Sequence, residues 1–221
     1  MRILVLTGYD DHLPFGFIGE RSWKSYAAAH GYGFFCHRDY SPEKGHAAWQ
    51  KLRIIFDALS PSYDWVFWTD IDSVVTNGSV RLEDLVDPAF PVIVSGDWGP
   101  VELSPWSTGH ILIRSCGESR KFLLEASKLW QYKNFSTWDQ AAMQTLCVGN
   151  PLWGQKIKIL KPSVLNAVPP EAAPSRDPWK PGHFLAHITG TVPNDCKMPL
   201  MLKYEALGLP GRSPGRPEKK D

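Results

Sequence analysis

Asp70 and Asp72 follow directly on Trp65-Val66-Phe67-Trp68-Thr69, an aromatic and β-branched run that suits a strand buried on both faces. On an extended backbone, positions i and i+2 point the same way, so the two carboxylates can converge on one point. Hard divalent cations such as Mn²⁺ or Mg²⁺ take oxygen ligands and bridge substrate phosphates, and strand carboxyl ends are where α/β sheets bind ligands. Asp70-Ile71-Asp72 is therefore a candidate grip for a metal–diphosphate, weighed against the plainer reading of two solvated loop aspartates. His187, in His187-Ile188-Thr189-Gly190, offers an imidazole that suits Mn²⁺ beside two carboxylates, although a lone histidine is more often structural. Lys197 downstream can neutralise phosphate charge.

Three other stretches carry weaker signals. Thr7-Gly8-Tyr9 leaves the first apolar run, where backbone groups and an aromatic ring can receive a nucleoside. Ser107-Thr108-Gly109-His110 opens a strand with residues small enough to let a ligand near the backbone, or is a plain turn. Trp138-Asp139-Gln140 reads as a first helical turn, in which Asp139 is either a favourable N-terminal acid or, with Gln140, a holder of polar substrate. No G-x-G-x-x-G, Walker A or H-E-x-x-H pattern is present, and the one G-x-S-x-G string, Gly211 to Gly215, lies in a proline- and charge-rich stretch without the apolar strand and helix that flank a nucleophile elbow, which sets aside dinucleotide, P-loop, zincin and serine-hydrolase chemistry.

The elements that must position these residues read as one α/β domain. Ile3 to Leu6, Tyr32 to His37, Val92 to Ser95, His110 to Arg114 and Ile157 to Leu160 read as strands beside the one ending at Asp70. Helical spacing covers Ile18 to His30 with Gly31 as its stop, Trp49 to Leu59, Glu118 to Tyr132 as one long helix, and Asp139 to Leu146; Leu82 to Leu85 is a helical turn. The first helix between two strands makes a β-α-β unit, which requires a parallel pair. Pro162 to Pro181 reads as an irregular, flexible loop over a site, and residues 209–221, with no large apolar residue after Leu209, as a disordered tail or a linker to a further domain after a 1–208 domain.

With 221 residues and a formal charge of +1, the chain has ample core material and no broad nucleic-acid footprint. No run approaches the roughly 20 apolar residues of a membrane span and no signal peptide is evident, so a soluble, cytoplasmic protein is expected. Cys36, Cys116, Cys147 and Cys196 lack metal spacing and read as free thiols of a reducing compartment, with a disulfide pair as the alternative. Among the ten tryptophans, Trp98, Trp106 and Trp179 are candidate platforms for a flat ligand such as a sugar ring, and the Pro162 to Pro181 segment is a further candidate for ligand contact.

Taken in order, Ile3-Leu4-Val5-Leu6-Thr7-Gly8, Trp49-Gln50-Lys51-Leu52, Trp65 to Asp72, Gly109 to Arg114, Asp139-Gln140 and His187-Ile188-Thr189-Gly190 form a pattern. It resembles the retaining glycosyltransferases of the galactomannan galactosyltransferase and xyloglucan xylosyltransferase type. The resemblance spans roughly residues 2 to 197 and implies a GT-A fold, Rossmann-like, with a mostly parallel central sheet. It further implies a nucleotide-diphosphate donor, a UDP-sugar, and a glycan acceptor, with retention of configuration. Carried over by position, Asp70, Asp72 and His187 would bind Mn²⁺ (or Mg²⁺), and Thr7, Gly8 and Tyr9 would line the nucleoside pocket. Lys51, Ile71, Asp97, Ser107, Gly109, Gly190 and Lys197 would lie along the donor. Gln140 would sit beside the anomeric carbon while Asp139 holds donor hydroxyls. The family usually has Asn where Ser107 stands and often an acid where Trp138 stands, which leaves the sugar open. Its usual anchor and stem are absent, as expected for a bacterial or viral enzyme or an excised catalytic domain. Two rival classes share the same residues: a nucleotide-sugar hydrolase or nucleotidyltransferase, and a non-catalytic glycan-binding domain.

Overall fold

Strand β1 (Ile3–Gly8) is buried along its whole length because alternate residues serve two cores. Ile3 and Val5 join one apolar cluster and Leu4 and Leu6 another, as the two-residue period of a central strand requires. The computed structural model of the chain describes residues 1–100, 102, 104–189 and 192–208. From β1 the chain forms α1 (Gly16–His30), β2 (Gly33–His37), α2 (Ala47–Ala58), β3 (Trp65–Thr69), β4 (Ser73–Val75), β5 (Val92–Ser95) and β6 (Ser107–Arg114). It continues through α3 (Gly117–Ser127), α4 (Trp138–Gly149), α5 (Pro151–Gly154), β7 (Ile157–Leu160), α6 (Pro162–Leu165), β8 (Leu185–His187) and α7 (Asn194–Gly208).

The main sheet has the order β2-β1-β3-β6-β5-β7. β1 runs parallel to β2 and β3, and β5 parallel to β7; β6 alone is reversed, antiparallel to both β3 and β5. The expected mixed α/β architecture with a mostly parallel sheet is what forms. One face is covered by α2, α3 and α4 over Leu4, Leu6, Val66 and Trp68, and the other carries Trp23 and Tyr26 of α1 over Ile3, Val5 and Phe67. A two-stranded antiparallel ribbon, β4 with β8, branches off and carries a third cluster with α7.

Several boundaries differ from the sequence reading, each for a physical reason. Gly31 ends α1 as expected, in the left-handed region at φ 70°. The long helix from Glu118 to Tyr132 instead stops at Ser127 and continues as a 3₁₀ turn over Trp130–Asn134. Past Ala126 no side chain reaches the core, and Trp130 is exposed, so helical propensity has no burial to support it. Asp70 and Asp72 are not on extended strand: β3 ends at Thr69, and residues 70–72 form the turn into β4. Pro162 to Pro181 is no open flexible loop. It contains α6, buries Leu165, Ala167 and Val168 completely, and is pinned by bonds from His187 N to Ala167 O, Trp179 N to Val168 O and Arg176 N to Trp98 O. All four cysteines are free thiols, and among the described residues no helix is long and apolar enough to cross a membrane. Residues 209–221 and Gly190 lie outside the described residues.

Candidate active site

The ends of β1 and β3, the start of β6 and the amino-terminal turns of α2 and α4 converge on a cleft of about 690 Å³. On its floor, Asp70, Asp72 and His187 bring one ligand atom each within 4.8 Å of the others. What joins them is the turn and the β4–β8 pairing, in which Ser73 stands opposite His187. The Asp70 N–H donates to Gly109 O at 2.7 Å, extending the β3–β6 ladder by one residue, and the Ser73 hydroxyl closes the turn onto Asp70 O at 2.7 Å. Helix α1 can lie against this turn because Gly19 has no side chain; a Cβ there would meet Ile71 O at 2.0 Å.

Three features of the donor set fit a divalent cation. Asp70 Oδ1 is already engaged by Trp68 Nε1 (2.7 Å) and Lys51 Nζ (3.2 Å), while Oδ2 faces Gly109. A Cβ at Gly109 would lie 2.8 Å from His187 Cε1 and 3.4 Å from Asp70 Oδ2, so glycine here keeps the space between two ligands clear. His187 Nδ1 lies 2.7 Å from Asn166 Oδ1, and the Asn166 amide nitrogen donates to Gly96 O at 3.3 Å, which turns its oxygen to the ring. His187 therefore donates from Nδ1 to Asn166 and turns Nε2 toward the carboxylates, 3.3 Å from Asp72 Oδ1, the orientation of a metal-ligating histidine.

Two buried lysines balance the acids. Lys197 Nζ sits 2.6 Å from Asp72 Oδ2. Burial pushes the Asp72 carboxyl up, but Lys197 and His187 outweigh it and hold it well below the usual carboxylate range. Lys51, 3 % exposed, lies 3.2 Å from Asp70 Oδ1 and 3.1 Å from Asp139 Oδ2, and donates to Thr108 O at 3.0 Å. Burial alone would drive its proton off; Asp139 and Asp70 reverse that and raise its pKa, so Lys51 is a fixed cation. Burial moves Asp139 up, with Lys51 opposing.

The far wall is built by α4. Gln140 accepts from Thr108 N (3.0 Å) and donates to Asp97 Oδ2 (3.0 Å) and Ser104 Oγ (2.8 Å). Asp97 Oδ1 accepts from Trp98 N at 2.9 Å. Trp138, the first residue of α4, has φ 31°, a conformation uncommon for a bulky residue, and its ring stacks on His46 at 3.8 Å and 5°.

Of the residues singled out from the sequence, Gly8, Lys51, Asp70, Ile71, Asp72, Asp97, Ser107, Gly109, Asp139, Gln140, His187 and Lys197 all line this one cleft. Thr7 and Tyr9 do not. Thr7 is buried within the sheet, and the Tyr9 ring packs on Gly16, under Arg38, with its hydroxyl on Glu20. Trp98 lines the cleft, whereas Trp106 is buried and Trp179 bonds to Thr76 Oγ1. Sequence reasoning missed Asn166, Ser104 and the His46–Trp138 stack, and named Thr108 only as part of the Ser107 to His110 stretch.

Known structures share this arrangement of elements. A glycosyltransferase involved in glycosylation of the major capsid of PBCV-1 superposes with TM-score 0.74 at 18% identity, covering 92% of this chain and 100% of that one. The galactosyltransferase LgtC, solved with donor and acceptor sugar analogs, gives TM-score 0.57 at 15% identity, covering 92% and 94%. The fold is GT-A. A Drosophila β1,4-galactosyltransferase 7 mutant, solved with manganese, UDP-Gal and xylobiose, gives TM-score 0.52 at 12% identity, covering 83% and 71%. Residues 18–89, which include the Asp70–Asp72 turn, match the profile of the galactosyl transferase GMA12/MNN10 family, so the resemblance drawn from the sequence is borne out there. No curated protein sequence matches the chain. Family match and GT-A fold together support a glycosyltransferase.

Proposed function

We propose that this chain is a divalent-metal-dependent glycosyltransferase that moves a sugar from a UDP-sugar to a hydroxyl of a glycan acceptor, with retention. The observation that carries this reading is the convergence of Asp70, Asp72 and His187 on the floor of a cleft whose walls hold Lys51, Lys197, Asp139 and Gln140. Asp70, Asp72 and His187 would hold Mn²⁺ or Mg²⁺, which supplies Lewis-acid stabilisation of the departing diphosphate. Lys197, beside the metal ligands, is placed to share that charge. Gly8 and Ile71 would flank the nucleotide, and Ser107 and Gly109 would border the donor. The catalytic domain would comprise residues 1–208.

Retention is supported by what surrounds the carboxylates. An inverting enzyme needs a free carboxylate base facing the acceptor. Asp97, on the cleft wall, has one oxygen on Trp98 N and the other on Gln140, so it orients Gln140 more readily than it deprotonates a hydroxyl. Asp139 is buried beside Lys51 and suits holding sugar hydroxyls better than attacking carbon. Gln140, fixed through both ends of its amide, would present its oxygen near the anomeric centre while the acceptor attacks from the leaving-group side. Trp98 is the aromatic best placed for the acceptor sugar.

Calorimetric titration of a UDP-sugar panel, with and without Mn²⁺, on the native protein and Asp72→Ala tests the reading. Metal-dependent UDP binding that disappears in the variant is expected. Equal binding without metal, or none with it, would refute the donor site, and turnover to water in preference to every sugar acceptor would make the protein a hydrolase.

A further inference from the structure

Beneath the Asp70–Asp72 turn lies a polar cluster shut off from the cleft. Thr69, Ser73 and Trp23 are fully buried and His110 is 1% exposed. Ser73 Oγ donates to Asp70 O at 2.7 Å and lies 2.9 Å from Thr69 Oγ1, 3.0 Å from His110 Nε2 and 3.1 Å from Trp23 Nε1. A hydroxyl donates one bond and accepts two. With its hydrogen on Asp70 O, Ser73 Oγ can only accept from His110 Nε2, while Trp23 Nε1 donates to Ser73 Oγ and, at 3.2 Å, to Ser73 O, and Thr69 Oγ1 has Asp70 O within 3.3 Å for its own hydrogen. His110 is therefore the Nε2–H tautomer, and Nδ1, which has no partner, is left as a bare lone pair. Burial of polar groups without water is costly unless they bond to one another. An alanine at position 73, before Val74 and Val75, would make an ordinary buried strand without that cost.

The cluster sits where all three metal-ligand candidates meet. Ser73 is joined to Asp72 by the peptide bond, to Asp70 by its hydroxyl and to His187 by the β4–β8 register. The His110 ring meets the His187 ring edge-on at 4.9 Å. We propose that the Ser73 hydroxyl, held in orientation by His110, is a positioning group that sets the spacing of Asp70, Asp72 and His187 for a divalent cation. This rests on the reading of those three residues as metal ligands. Their geometry must be right to a few tenths of an ångström, and partners behind metal ligands typically control affinity by about 10- to 100-fold.

The test is calorimetric titration of Mn²⁺, without nucleotide, into the native protein and four variants, with melting temperature recorded for each. Ser73→Ala and His110→Phe should bind Mn²⁺ roughly 10- to 100-fold more weakly. His110→Gln, which can return an N–H to Ser73, should recover most of that loss. Val74→Ala, a cavity in the same strand, should lower the melting temperature while leaving Mn²⁺ affinity unchanged. Failure of the native protein to bind Mn²⁺ would overturn the metal site and this inference together. Native binding with Ser73→Ala and His110→Phe equal to it would overturn this inference alone; should Ser73→Ala not fold, the His110 pair decides.

Discussion

Gly109→Ala isolates the space between two metal ligands with a single methyl group. Position 109 is in β6 and its backbone needs no special conformation, so alanine brings only volume. The added Cβ would stand 2.8 Å from His187 Cε1, whereas carbon atoms rest at about 3.5–4.0 Å. His187 must then retreat by about 1 Å. Its ring is held from behind by Asn166 and beside by His110, so the retreat breaks one contact or bends the strand. Overpacking of this kind costs roughly 1–3 kcal/mol, offset by about 0.4–1 kcal/mol from the stiffer unfolded chain. For a domain of this size, the remaining 0–2.6 kcal/mol or so lowers the melting temperature by up to about 10 °C. The effect on metal should be larger in proportion, because a ligand displaced by about 1 Å is no longer within the few tenths of an ångström that coordination tolerates. Mn²⁺ affinity should fall at least about 10-fold. Titration calorimetry and a thermal melt read both quantities, with Gly117→Ala as control, since nothing lies within 4 Å of a Cβ there. Mn²⁺ binding by Gly109→Ala within a factor of two of native would refute the reasoning.

Asn166→Ala should free the His187 ring and weaken Mn²⁺ about 10- to 100-fold, while Asn166→Asp, which keeps an acceptor on Nδ1, should lose less; titration calorimetry separates them. Gln140→Glu places a second carboxylate on Asp97, raising one pKa of the pair, so stability lost at neutral pH should return as pH falls through that raised value. A carboxyl pKa raised tenfold in proton affinity corresponds to about 1.4 kcal/mol, and a flat difference in melting temperature from pH 7 to 5 would count against the contact. Burial pushes the Cys36 thiol up to about 12 and the Cys147 thiol up to about 11, so neither should alkylate appreciably at pH 7.5 in the native state. Cys116, lowered by Ser119 and Arg114 against its burial, should react ahead of them in mass-mapped iodoacetamide labelling.

The sheet was legible because β1, β3 and β5 are continuous apolar runs, and the helices because their spacing and stops are local. The long α3 was misjudged where propensity continued and burial did not. At the site, residue types were readable but the means of bringing them together was not. Asp70 and Asp72 looked like partners on one strand face, whereas a turn closed by Ser73 joins them, and His187 arrives through a β4–β8 ribbon that spans more than a hundred residues of chain. Asn166 sits in a proline-rich segment whose packing depends on bonds to distant backbone, a signal no local pattern carries.

The charges of the cleft connect metal and donor. Asp10, Asp70, Asp72, Asp97 and Asp139 line it, against Lys51 and Lys197 as the only lysines among its described lining residues, with no arginine there. Lys51 is committed to Asp70 and Asp139, and Lys197 to Asp72. A diphosphate entering alone would meet an excess of carboxylates in a partly desolvated space, where like charges interact more strongly than in water. A cation on Asp70, Asp72 and His187 reverses that balance locally and leaves Lys197 able to turn from Asp72 toward phosphate. The two ligands should therefore bind with positive coupling, each raising the affinity of the other by the same factor. A Mn²⁺ dissociation constant that is unchanged by saturating UDP would show that Lys197 and the carboxylates do not act as one electrostatic unit. In Lys197→Met, the coupling should shrink because the group that shifts from carboxylate to phosphate has been removed.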